Sequence, residues 1–254
     1  MHNILNHKLL KFDAYLNLQQ TWDGHETDFT QEGNSIGFNA DRSTVYWYKG
    51  KHECLVIDAD KNETIDTIDY LIDDVPVVKG LYGIKDINIL VVITCNHSGD
   101  DAKIILFDLK KHKTLQKVSY TKVTDNTGFK ISNSSIVPST GQLILVGATS
   151  GDKPKSLVSM VSVPDLKLLD QLITEQSLPI LNGLPFGNDF LVLSGENCIH
   201  LGELDPKTQK LKLICRDVCT VSGSLQNIMA SKDYTKLVAT SNRGRVACLS
   251  LKTA

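Results

Sequence analysis

The sequence predicts an all-β chain of five repeated sheet units, the last closed by a strand from the N-terminus. Three observations carry this. From Asn34 onward, short runs rich in Val, Ile, Leu, Thr and Tyr alternate with polar turns of Asp, Asn, Lys and Gly. The runs fall into groups of four that recur at roughly 40 to 57 residues. No segment carries a sustained helical period.

The elements follow in order. Leu10, Phe12, Ala14, Leu16 and Leu18 alternate with Lys11, Asp13, Tyr15, Asn17 and Gln19, a period of two that argues a half-buried strand over residues 10–18. A helix using Leu5, Leu9, Phe12 and Leu16 is the rival reading. Residues 20–33 then form a polar loop holding Trp22 and Gly24-His25. The first group comprises Ser35 to Phe38, Thr44 to Tyr48, Glu53 to Asp58 and Thr64 to Tyr70. The second comprises Val77 to Tyr82, Ile87 to Thr94, Lys103 to Asp108 and Thr114 to Tyr120. Thr121 to Asn133 is a long connection. The third group runs through Ser134 to Val137, Gln142 to Ala148, Ser156 to Val163 and Leu166 to Ile173. The fourth runs through Pro179 to Leu184, Phe190 to Ser194, Cys198 to Leu204 and Leu211 to Cys215. A closing three-stranded meander, Leu225 to Leu251, is turned at Ser231-Lys232-Asp233 and Asn242-Arg243-Gly244.

The third strands end alike, in Ile57-Asp58, Phe107-Asp108, Pro164-Asp165 and Leu204-Asp205. A carboxylate there can accept backbone N–H bonds from the turn that follows and fix the outer hairpin. A sheet unit with two apolar faces must pack against neighbours, and radial stacking meets that need. The expectation is one domain over residues 1–254, a five-bladed β-propeller with blades at about 34–70, 77–120, 134–173, 179–215 and 225–251, the last completed by residues 10–18. A partial propeller completed by another chain and a pair of β-sandwiches are the alternatives.

On these residues the chain resembles the WD40-like β-propellers. In that family a terminal strand commonly completes the final blade, a Gly-His pair precedes an inner strand and Trp-Asp ends the third strand. Gly24-His25 stands in the matching place, and residues 227–251, NIMASKDYTKLVATSNRGRVACLSL, look like the family's inner three strands. The pattern is degenerate: Gly-His occurs once, and Trp22-Asp23 falls outside the repeat.

The totals bound the chemistry. Against 27 basic residues stand 29 acidic ones, a net charge of −2 without long blocks, so no polyanion surface is advertised and nucleic acid is an unlikely partner. The densest basic run, Lys110-Lys111-His112-Lys113, lies in a hairpin turn. The longest apolar run, Ile87 to Thr94, has strand length and falls far below the roughly 18 residues of a membrane span. Residues 1–16 lack the continuous apolar core of a signal peptide. Six cysteines are scattered through strand-like runs, which favours a reducing compartment, cytosol or nucleus.

Three pairs, His52 with Cys54, Cys95 with His97 and Cys198 with His200, stand two residues apart and so share a strand face, but they come from different units and lack companion ligands. No metal or cofactor is expected. A glycosidase would need two paired carboxylates at one mouth, and Asp73, Asp74, Asp100, Asp101, Asp152 and Glu196 are loop residues of that type. Nothing singles out two of them, and no catalytic residue is assigned. The remaining class is a non-enzymatic platform for other proteins, a scaffold subunit of a cytosolic or nuclear assembly. Its candidate contact residues are Trp22, His25, Phe29, Lys122, Phe129, Lys153 and Arg243, because Arg and aromatics on rigidly held loops make interface hot spots. A glycan-binding or glycan-cleaving propeller is the alternative.

Overall fold

The structure is a computed structural model that describes residues 2–5, 8–12, 15, 17–23, 35–50, 53–69, 77–96, 98, 100–149, 155–174, 180, 182–187, 189–205, 208–231 and 233–250. The chain divides into two compact units, Met1–Val118 and Ser119–Ala254.

The first unit opens with a three-stranded antiparallel sheet of β1 (His2–Leu5), β2 (Lys8–Phe12) and β3 (Leu18–Asp23), in the order β1-β2-β3. This corrects the single strand expected over residues 10–18. The stretch is a hairpin: Lys8 pairs with Asp23, Leu9 with Trp22 and Leu10 with Thr21, so β2 has partners of its own on both sides. Of its apolar residues, Leu9 faces the core. Leu9 is fully buried against Val45, Trp47, Leu55 and Ile57, with Trp22 packed beside it.

Eight further strands form one sheet: β4 (Ser35–Asn39), β5 (Thr44–Gly50), β6 (Glu53–Asp58), β7 (Glu63–Ile68), β8 (Val77–Ile84), β9 (Ile89–Cys95), β10 (Lys103–Asp108) and β11 (Lys113–Ser119). These are the first two expected groups of four. They join through β4 and β8, which run parallel with Phe38 beside Tyr82 and Asn39 beside Gly83. The approach is close because Gly37 has no side chain: a Cβ there would lie 1.9 Å from the Leu81 carbonyl oxygen. Burial is greatest in the middle strands of a group and least in the last. Every residue of β9 is buried, whereas most of β11 is exposed, which is why the middle runs read as continuous apolar stretches and the last ones as mixed.

The second unit holds two four-stranded sheets, β12 (Phe129–Ile136) to β15 (Leu168–Ile173) through β13 (Leu143–Thr149) and β14 (Ser156–Val161), and β16 (Asn182–Phe186) to β19 (Lys210–Thr220) through β17 (Phe190–Ser194) and β18 (Cys198–Asp205). A three-stranded sheet of β20 (Leu225–Ala230), β21 (Lys236–Ser241) and β22 (Val246–Ser250) ends it. Ile144, Val146, Val158, Met160, Leu191 and Leu193 form one core, and Val192, Ile199, Leu225, Leu237 and Ala239 another. Neighbouring sheets are also tied by polar contacts. The Ser135 hydroxyl donates to the Gly183 carbonyl (2.7 Å), and the Ser156 hydroxyl accepts from the Ile180 N–H (2.7 Å). Asp170 of β15 accepts from the Leu211 N–H of β19 (2.8 Å) and lies 3.2 Å from the Lys210 ammonium. Burial alone would raise the Asp170 carboxyl, but those donors and the Gln171 N–H outweigh it and hold the group below the usual carboxylate range.

Three of the four expected Asp turns form. Asp58 accepts from the N–H groups of Asp60 and Lys61, Asp108 from those of Lys110 and Lys111, and Asp205 from the Thr208 N–H and hydroxyl. The Lys61 and Lys111 N–H bonds hold Asp58 and Asp108 below the usual carboxylate range. Asp165 does not join them. Strand β14 stops at Val161, and the Ser162 hydroxyl accepts from the Lys167 N–H (3.1 Å) in its place. Lys110 and Lys111 thus sit in a turn their neighbouring carboxylate has closed, and His112 lies 2.8 Å from Asp66. Among the described residues no helix is long and apolar enough to cross a membrane.

Candidate functional site

Within the second unit, three turns meet around a cleft of about 330 Å³ lined by Glu196, Asn197, Gly223, Ser224, Asn242 and Arg243. Glu196 and Asn197 form the tight turn from β17 to β18, closed by the Gly195 N–H donating to the Cys198 carbonyl (2.8 Å). Gly223 and Ser224 connect β19 to β20. Asn242 and Arg243 turn β21 into β22, where the Gly244 N–H donates to the Ser241 carbonyl (3.0 Å) and Gly244 takes a left-handed φ of 71°.

The walls are stitched together by backbone bonds. The Leu225 N–H donates to the Glu196 carbonyl (2.7 Å) and the Val221 N–H to the Asn197 carbonyl (2.8 Å). Asn242 and Ser224 bond reciprocally: the Asn242 N–H donates to the Ser224 carbonyl (2.9 Å), and the Asn242 Oδ1 accepts from the Ser224 N–H (3.0 Å). Only a glycine fits at the floor of this joint. Gly223 has φ of 92°, and a Cβ on it would stand 2.6 Å from Asn242 Oδ1 and 2.8 Å from Arg243 Cγ.

The lining thus sets an exposed guanidinium and an exposed carboxylate around amide, hydroxyl and backbone groups. Such a set can hydrogen-bond to, and ion-pair with, a polar, charged segment. Its one carboxylate, Glu196, does not make the pair that glycoside hydrolysis uses. Asp100 and Asp101 lie in the turn between β9 and β10, where Asp100 accepts from the Ser98 hydroxyl (2.7 Å) and Asp101 lies 3.1 Å from Lys103. Asp73, Asp74 and Asp152 lie outside the described residues.

Of the candidate contact residues, Arg243 lines the cleft. His25, Phe29 and Lys153 lie outside the described residues. Trp22 is not a loop residue: Thr21 and Trp22 extend β3, and the indole packs on the Leu9 cluster. The long connection expected over residues 121–133 is largely structured. Ser119 caps a short helix, Tyr120–Thr124, by accepting from the Lys122 N–H (3.4 Å), and Asp125 ends it at φ of 51°. Lys122 is exposed on that helix, and Phe129 begins β12, half-buried opposite Thr149. The residues that sequence reasoning missed are Gly223 and Ser224. The polar run Ser222-Gly223-Ser224 between two β-prone runs was the available signal.

Among the described residues no group of three or more His, Cys, Asp or Glu is placed to hold a metal. Cys198 and His200 do come together, Sγ to Nε2 at 3.2 Å. His52 and His97 of the other two pairs lie outside the described residues.

No protein-family model matches the chain, and neither does any curated protein sequence. Solved structures do. A chain of the mitotic checkpoint complex aligns with a TM-score of 0.68 at 11% identity, covering 98% of this chain and 71% of its own. The β-propeller domain of Myceliophteria thermophila Cps50 (Swd1) aligns at 0.65 and 9% identity over 96% of this chain and 76% of its own. The WD40 repeats of RRP9 align at 0.55 and 12% identity, over 97% and 89%.

Proposed function

Since the chain has the fold of the WD40-type β-propellers, we propose that it is a non-enzymatic platform for other proteins, a scaffold subunit of a cytosolic or nuclear assembly. The observation that carries the reading is the cleft at Glu196, Ser224 and Arg243. It is built from turns rather than strands, its walls are cross-bonded, and its charged groups stand exposed, which is how a rigid sheet frame presents contact residues. The aligned mitotic checkpoint chain is part of a complex, which agrees with a role of this kind. No disulfide joins any of the six cysteines, which suits a reducing compartment. Lys122 and Phe129 are secondary candidates in the same unit, and His25, Phe29 and Lys153 stay candidates from the sequence.

The test is affinity purification of the tagged chain from its native cell extract, with each co-purifying protein quantified for wild type and Arg243→Glu. Arg243 is exposed, so the reversal alters the surface and leaves the core packing alone. At least one stoichiometric partner is expected to fall about tenfold or more, the equivalent of roughly 1.4 kcal/mol. An unchanged partner set, at unchanged abundance, removes the cleft from the interface.

A further inference from the structure

Cys198 opens β18, one residue beyond the cleft, and its sulfur lies 3.2 Å from His200 Nε2. The two side chains share a strand face, being two residues apart. His200 is completely buried, whereas Cys198 is half-buried and so reachable from solvent. Burial holds the imidazole in place beside the thiol, with its ring nitrogen against sulfur. That arrangement differs from the other cysteines. Cys54 and Cys95 are buried, and burial pushes both thiols up, away from the reactive thiolate. Cys215 and Cys248 are exposed to solvent, so reactivity governed by access alone would favour them.

We propose that Cys198 and His200 form a reactive thiol–imidazole pair, and that Cys198 is a site of oxidation by hydrogen peroxide. The chemistry balances. As the Cys198 sulfur attacks a peroxide oxygen, its proton passes to His200 Nε2. The O–O bond breaks, an S–O bond forms, and the departing hydroxide takes the proton back from His200 to leave as water. Sulfur is oxidised by two electrons to sulfenic acid and the peroxide is reduced by two. The imidazole acts as general base on the nucleophile, the same logic by which adjacent histidines activate cysteines elsewhere. This inference stands apart from the interaction reading and does not depend on it.

The test exposes the full chain to hydrogen peroxide with dimedone present and quantifies the adduct at each cysteine by peptide mass spectrometry. Cys198 is expected to label at least about tenfold faster than Cys215 and Cys248, a margin well inside the roughly 100-fold or more that a positioned base contributes. Labelling of Cys215 or Cys248 ahead of Cys198 overturns the proposal. His200→Asn is expected to slow Cys198 by about tenfold or more while Cys215 and Cys248 keep their rates; an unchanged Cys198 rate overturns it equally. If the variant loosens the sheet, Cys54 and Cys95 begin to label, and the wild-type order of reactivity decides alone.

Discussion

Leu9→Ala tests the packing of the N-terminal hairpin. Leu9 is fully buried among Val45, Trp47, Leu55 and Ile57. The substitution removes three carbons, which at about 0.8 kcal/mol each accounts for roughly 2.4 kcal/mol of lost transfer energy. Those four neighbours come from two central strands and cannot close the gap freely, so a cavity penalty adds to the loss. The expected destabilisation is about 3 kcal/mol, inside the range of about 2–5 for buried Leu→Ala. The protein carries its own reporters, since Trp22 and Trp47 are its two tryptophans and both belong to this cluster. Urea unfolding followed by their fluorescence, with a slope of roughly 2 kcal/mol per molar, should show the midpoint falling by about 1.5 M. Leu18→Ala, at a side chain 55% exposed in the same hairpin, is the control and should stay within about 0.5 kcal/mol. A Leu9→Ala midpoint within about 0.3 M of wild type would mean that the hairpin does not pack as described.

Two further outcomes follow from the sheet contacts. Gly37→Ala places a Cβ 1.9 Å from the Leu81 carbonyl oxygen, so β4 and β8 must separate. A loss of about 2–3 kcal/mol, seen as a fall in Tm of at least about 5 °C, is expected, and an unchanged Tm would refute the parallel contact. Asp170→Ala leaves the Leu211 N–H without its carboxylate and should cost about 1–3 kcal/mol at neutral pH. Because the folded Asp170 carboxyl is held low, its contribution is complete above its ordinary value of about 3.9 and is lost as pH falls through the lower folded value. The gap between wild type and variant should therefore narrow only in acid below about pH 4, and a gap constant into strong acid would refute the assignment.

What could be read in the chain was what is decided locally. Asp58, Asp108 and Asp205 close their turns with bonds to residues two or three positions on, so the spacing carried the information. The groups of four were legible because their middle strands are buried on both faces and read as apolar runs, as β9 does. The N-terminal segment misled for a related reason. Period-two alternation runs on through a short turn, so residues 10–18 look like one strand when Tyr15, 87% exposed, marks a reversal between β2 and β3. Trp22 reads as a loop residue in the sequence, but it lies in β3 opposite Leu9, a pairing across thirteen positions that no local pattern records. The place of Arg243 in a turn is visible in sequence. Its companions are not, since Ser224 meets Asn242 across eighteen positions and no local pattern records the meeting.

The cross-bonded cleft has a thermodynamic corollary. Its rims are held before any partner arrives, by Leu225 to Glu196, Val221 to Asn197 and the Asn242–Ser224 pair. A partner bound there would freeze the Arg243 and Glu196 side chains and little else of this protein, at about 0.5–1.5 kcal/mol each. The larger entropic cost falls on whatever segment enters, so a partner already rigid in its bound shape should hold on far longer than a flexible peptide of the same sequence.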